Sequence, residues 1–221
     1  MNLDFSQITP YIPFMLEGIW VTLKFVAVAL IVGFILGTLL ALCKISNIKP
    51  LNWFAIAYTS IFRGTPLILQ LMTFYFAIPQ LTGYDISPFL SAVLAFGLNS
   101  AAYISEIIRA GIQAVDKGQT EAAMALGVPY RQMMKDIILP QALKNILPSL
   151  MNEVITLTKE SALVSTISVL DLMRRAQVVG ADIYRNFEPL LFVGLIYWIM
   201  VFGLSTIGKV LERRLKVSDQ S

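Results

Sequence analysis

Four stretches of this chain, residues 25–43, 64–84, 86–105 and 189–208, contain no charged side chain and run for 19, 21, 20 and 20 residues. A helix needs about 20 mostly apolar residues to cross a hydrocarbon layer of about 30 Å, so each stretch is long enough to span a membrane. Composition agrees. Of 221 residues, 57% are hydrophobic and 14% charged, whereas soluble domains average about 45–50% and about 25%. So few ionisable groups could not cover the exterior of a soluble domain of this size. The chain has no histidine, which excludes imidazole acid–base chemistry, Ser-His-Asp and Cys-His catalysis and imidazole metal sites. The single cysteine, Cys43, can form neither an internal disulfide nor a thiolate cluster.

A fifth stretch, residues 141–170, is apolar but carries Lys144, Glu153, Lys159 and Glu160. It counts as a span because intramembrane charges are tolerated where they face a bundle interior or a wet cavity. The second and third windows are joined by turn-forming Pro79, Gly83, Asp85 and Pro88, as in a helical hairpin. Five spans place the termini on opposite sides. With the C-terminus inside, the cytoplasmic stretches hold ten basic residues: Lys44, Lys49, Lys117, Arg131, Lys135, Lys144, Lys209, Arg213, Arg214 and Lys216. The outer stretches hold Arg174, Arg175 and Arg185, so the positive-inside rule predicts N-terminus out and C-terminus in. The first 23 residues lack Lys and Arg, and without a basic n-region the first span is expected to be retained. The expectation is an all-α polytopic membrane protein, one domain over residues 1–221, with one polar cytoplasmic insertion at residues 115–140.

Within the insertion, Thr120 is the candidate N-cap of a short helix ending at Gly127, Pro129 opens a second, and Pro140 interrupts it before the fourth span. Together they present an apolar face of Ala122, Ala123, Leu126, Met133, Met134 and Ile137. Helices this short need a packing partner.

Glu121, Ala122 and Ala123, then Gly127, Ile137, Leu139 and Pro140, resemble the EAA loop of ABC-importer permeases at every fixed position. Further segments resemble the polar amino acid branch: Arg63-Gly64-Thr65-Pro66-Leu67, the run from Ala102 to Ile112, Asn152-Glu153, and Lys159 onward, where Glu160-Ser161-Ala162 stands in place of a common Asp-Thr-Ser. The resemblance implies a type I ABC-importer-like permease of the bacterial cytoplasmic membrane, in a homodimer or paired with a sister permease. Its EAA loops would dock as coupling helices on two cytoplasmic ATP-binding subunits, and an extracytoplasmic solute-binding protein would deliver substrate. ATP and Mg would sit on the partner ATPase, with no cofactor on this chain. No Gly-rich loop ends in Gly-Lys-Ser or Gly-Lys-Thr, so hydrolysis is assigned elsewhere. The plainer alternative for the insertion is an amphipathic surface turn.

Polar residues inside the spans are the candidate substrate contacts. Asn152 and Glu153 lie four and three residues from Thr156, so the three are expected to share one sector of the helix, and Gln70 and Asn99 occupy the second and third windows. Converging, these five would make a polar pocket. The amides could equally be interhelical hydrogen bonds. Glu153 is costly at that depth without a cation, so a basic amino acid (arginine, lysine or histidine) is favoured, with glutamine, glutamate or cystine as alternatives. Glu106 and Arg109 are expected to pair, while Lys24 and Arg63 read as interface anchors. Residues 171–188 are expected to form a short outer helix where a binding protein docks, or else a plain loop. Two rival classes are an ion-coupled secondary transporter subunit, disfavoured by the absence of an internal repeat, and an intramembrane Ser-Lys enzyme using Lys159 with Ser161 or Ser165.

Overall fold

A computed structural model describes residues 3–217, and all the secondary structure in that range is helical. The side chain of Lys216, one of the ten basic residues above, lies outside the described set. A 3-10 turn at Phe5–Tyr11 runs directly into α1, Ile12–Ile45. There follow α2 (Lys49–Gly64), α3 (Leu67–Met72), α4 (Ile78–Thr82) and α5 (Pro88–Gln113). The insertion carries α6 (Lys117–Ala125) and α7 (Tyr130–Met133), and α8 (Leu139–Glu160), α9 (Leu172–Asp182) and α10 (Phe187–Val217) complete the chain.

Among the described residues, three helical stretches are long and apolar enough to cross a membrane: Phe5–Ile45, Pro88–Gln113 and Phe187–Leu215. A fourth crossing is available only as a bent pair, Lys49–Gly64 with Leu67–Thr82, turned by 102°. The expected window at 64–84 therefore begins at a break rather than at a helix start. Thr65 and Pro66 are extended, with ψ of 144° and 136°, because a residue before proline is pushed out of the helical region and proline offers no N–H to continue the ladder. The helix of the fifth window stops at Glu160, not Leu170. From there a 3-10 turn, Ser161–Ile167, has Ser161, Ser165 and Thr166 hydroxyls donating to the carbonyls of Thr158, Ala162 and Leu163.

Pro140 does not interrupt the insertion's second helix as expected. A π-helical turn at Met134–Ile138 carries the chain from α7 into α8 without a break. The same device, Thr73–Ala77, precedes Pro79. In both places the widened turn holds the residue four before the proline, Tyr75 or Asp136, where a proline ring would otherwise meet a carbonyl.

The core lies between α1 and α5. Phe25 and Phe96 are fully buried and meet edge-on at 4.9 Å between centroids. A Cβ on Gly33 would come within 2.9 Å of the Ser100 Cβ, and one on Gly97 within 2.8 Å of Val32, so these glycines let the two helices approach closely. By contrast α10 exposes Leu195, Trp198, Ile199 and Phe202, an apolar surface suited to lipid or a second helix bundle.

Candidate functional site

The break between α2 and α3 leaves carbonyls without helical partners, and two side-chain amides take them up. Gln70 Nε2 donates to the carbonyls of Phe62 (2.8 Å) and Thr65 (3.1 Å), and Asn99 Nδ2 donates to Phe62 O at 3.0 Å and to Gln70 Oε1 at 3.1 Å. Both amides are buried. Tyr58 stacks on Phe62 and donates to Leu98 O at 2.8 Å. Asn99 is the twelfth residue of the 26-residue α5, a helix about 39 Å long at about 1.5 Å per residue, so the break sits near its middle. An uncapped carbonyl there would cost about 1–3 kcal/mol.

Ser100, the next residue, faces the other way. Its hydroxyl donates to Glu153 Oε1 at 2.8 Å, and Glu153 is 9% exposed with no ion pair among the described residues. The five expected substrate contacts do not converge. Gln70 and Asn99 form one cluster; Glu153 meets Ser100. Asn152 is exposed and lines a separate cavity of about 240 Å³ with Ser205 and Lys209 of α10. Thr156 is half-buried without a hydrogen bond among the described residues. Asn152 and Glu153 diverge because consecutive helical residues point about 100° apart.

Glu106 pairs with Arg109 as expected, at 2.7 Å, and also with the buried Lys44 ammonium, which in the sequence is only one of the ten basic residues that set orientation. Asn52 ties this node to the start of α2 by donating to Lys44 O at 2.6 Å. Lys24 and Arg63 lie over the rings of Phe89 and Tyr103.

The insertion is more self-contained than its sequence implied. The cap of α6 is Asp116, accepting from Gly118 N–H at 2.7 Å, and not Thr120. Gly127 adopts φ +71°, a left-handed helix stop that costs a side-chain-bearing residue energy. The six-residue apolar face divides. Ala123 and Met133 are buried with Ile138, against Ile112 and Val115, while Met134 and Ile137 flank them. Ala122 and Leu126 are exposed, as are Met124 and Tyr130, so an apolar ridge faces outward. Glu121, Leu139 and Pro140 are also exposed, and Ile137 is half-buried.

At the other end, the expected short helix in residues 171–188 is α9. Asp171 caps it, accepting from Arg174 N–H (2.8 Å), Met173 N–H (3.3 Å) and Tyr197 Oη (3.3 Å). Burial pushes its carboxyl up to about 6 against those bonds. Arg175 clasps α1, donating to Phe14 O and Glu17 at 2.7 Å each.

Residues 5–217 match the family described as binding-protein-dependent transport system inner membrane component. The chain belongs to that family. It is thus a membrane transport component and not itself an enzyme. Over 99% of its length and all of the relative's, it is 61% identical to the arginine transport system permease protein ArtQ of Bacillus subtilis (strain 168). It is 51% identical to a putative glutamine transport system permease protein GlnP of Rickettsia felis, covering 95% of this chain and 96% of that one. A crystal structure of an amino acid ABC transporter with histidines superposes with a TM-score of 0.94 at 44% identity, over 97% of this chain and 100% of that one. The MetNI methionine ABC transporter, at 22% identity and a TM-score of 0.77 over 94% of this chain and 98% of that one, shares the fold. Ser100 and Lys44 are the contacts sequence reasoning missed: each looks like ordinary packing or interface chemistry until a distant residue, Glu153 or Glu106, is placed beside it.

Proposed function

We propose that this chain forms the pathway of an ATP-driven importer for a basic amino acid, arginine above all, in a bacterial cytoplasmic membrane. In this reading it crosses five times, with α1, the bent α2–α4 pair, α5, α8 and α10, N-terminus out and C-terminus in. It works as a homodimer or beside a sister permease. Leu126, Met124 and Tyr130 dock on a cytoplasmic ATP-binding subunit, which holds ATP and Mg, and an extracytoplasmic binding protein delivers the substrate near α9. The observation that carries the substrate class is Glu153, a buried carboxylate with one neutral donor and no cation among the described residues, for which a cationic side chain would supply the missing charge. The 61% identity to an arginine permease supports the same reading. The 51% identity to a glutamine permease favours glutamine as the second.

The test is uptake of labelled arginine, glutamine and glutamate into vesicles holding the complete complex. Binding-protein- and ATP-dependent arginine uptake is expected. Uptake driven by an ion gradient through this chain alone would instead establish the secondary-transporter reading.

A further inference from the structure

Arg63 is an exposed basic residue in the last turn of α2. It follows Phe62, whose carbonyl is held by Asn99 near the middle of α5, so it sits at the depth of the helix break. Among the described residues it makes no hydrogen bond or ion pair; its guanidinium lies 5.2 Å from the centroid of the Tyr103 ring. A charge at such depth is costly unless it faces water or an anion. Lys44 and Arg109 each have a carboxylate, both using Glu106. Glu106 is thereby already compensated by two cations, which leaves Arg63 without a counter-charge.

The guanidinium borders a cavity of about 460 Å³ whose wall also includes Glu106, Asn145 and Ser149, within the range of small-molecule sites. It is a shallow, open groove that runs along α5 from Glu106 to Ala114. Two neutral polar side chains from α8, Asn145 and Ser149, line it as well, their printed hydrogen bonds going to the carbonyls of Gly111 and Asn145 at 3.5 Å each. The local field therefore favours one anionic group, and a guanidinium holds a carboxylate in two parallel bonds.

We propose that Arg63 is the carboxylate anchor of a second substrate station, between the break and the Lys44–Glu106 node, which takes the α-carboxylate common to amino acids. The station rests on the importer reading above and adds to it a group that reads the backbone of the substrate, separate from Glu153, which reads its side chain.

Binding of labelled arginine and of argininamide, which lacks the carboxylate, is measured on the assembled permease–ATPase complex in nanodiscs of zwitterionic lipid. Arg63→Gln is expected to weaken arginine by about tenfold and leave argininamide unchanged, and Arg63→Lys to restore part of the preference. Equal weakening of both ligands, or of neither, overturns the anchor. If Arg63→Gln does not assemble, the unsubstituted complex is treated with phenylglyoxal and Arg63 is followed by peptide mass. Shielding by arginine but not argininamide is expected. Reaction unaffected by arginine, or no reaction, overturns it; so does shielding that needs only anionic lipid. Wild-type complex that carries no amino acid overturns both readings, whereas amino acid uptake with the preference intact in Arg63→Gln overturns the anchor alone.

Discussion

The helix break and the adjoining face of α8 treat polar groups in opposite ways. At the break every donor on Gln70 Nε2 and Asn99 Nδ2 goes to a carbonyl, a hydroxyl or the other amide. One residue further along α5, Ser100 gives Glu153 a single neutral hydrogen bond, with no ion pair to it among the described residues. Residues that look interchangeable in a hydropathy plot thus divide into groups consumed by the fold and a group left with unmet demand. The first kind stabilises an irregular backbone; the second is suited to meeting a substrate. The insertion repeats the division, with Ala123 and Met133 buried in its own small core and Leu126 facing outward.

The contrast can be broken most severely in the insertion. Gly127→Asp replaces a residue at φ +71° and tilts the exposed ridge; ATP-driven uptake should fall to background while the complex still extracts as a folded dimer. Leu126→Asp should do the same without touching the insertion's core. Full uptake by both variants would remove the coupling role. Next in size, Gln70→Leu takes the amide donor from the Thr65 carbonyl and Asn99→Leu takes it from Gln70 Oε1; each should cost about 1–3 kcal/mol, read as a lower thermal midpoint and yield. Uptake per assembled complex should stay within about twofold of wild type, a difference of about 0.4 kcal/mol; a selective loss of uptake at normal stability would turn the amides into substrate contacts.

The smallest effect belongs to Asp171, outside the membrane-spanning segments, whose carboxyl is raised from 3.8 to about 6 by burial. A raised carboxyl means the folded chain binds its proton more tightly than the unfolded one, so stability from this group is fullest below 3.8 and is lost as pH rises toward and past about 6. Asp171→Asn should flatten that dependence, read as a thermal midpoint that no longer falls as pH rises through the window. An unchanged slope would show that Asp171 does not titrate there.

Much of this was legible in the residues. Uncharged runs of span length marked α1, α5 and α10, and Gly127 marked a helix stop because few other residues accept its backbone conformation. The bend of 102° was hidden from a hydropathy window, which cannot see backbone direction, although Gly64-Thr65-Pro66 carried the signal. Pro140 misled because a π turn absorbs its clash. Asn152 and Glu153 each share a face with Thr156 yet not with each other, so spacing to a third residue could not show that they diverge. Ser100 and Lys44 depend on contacts 53 and 62 residues away in sequence, beyond the reach of local pattern.

In the proposed importer, the unmet charge of Glu153 is what a cationic substrate satisfies. This is tested most directly by the ratio of labelled arginine to labelled glutamine uptake in vesicles holding the complete complex, with and without Glu153→Gln. The ratio should fall by about tenfold, equivalent to about 1.4 kcal/mol, with glutamine uptake and thermal midpoint preserved. An unchanged ratio in a folded, ATP-hydrolysing complex would contradict it.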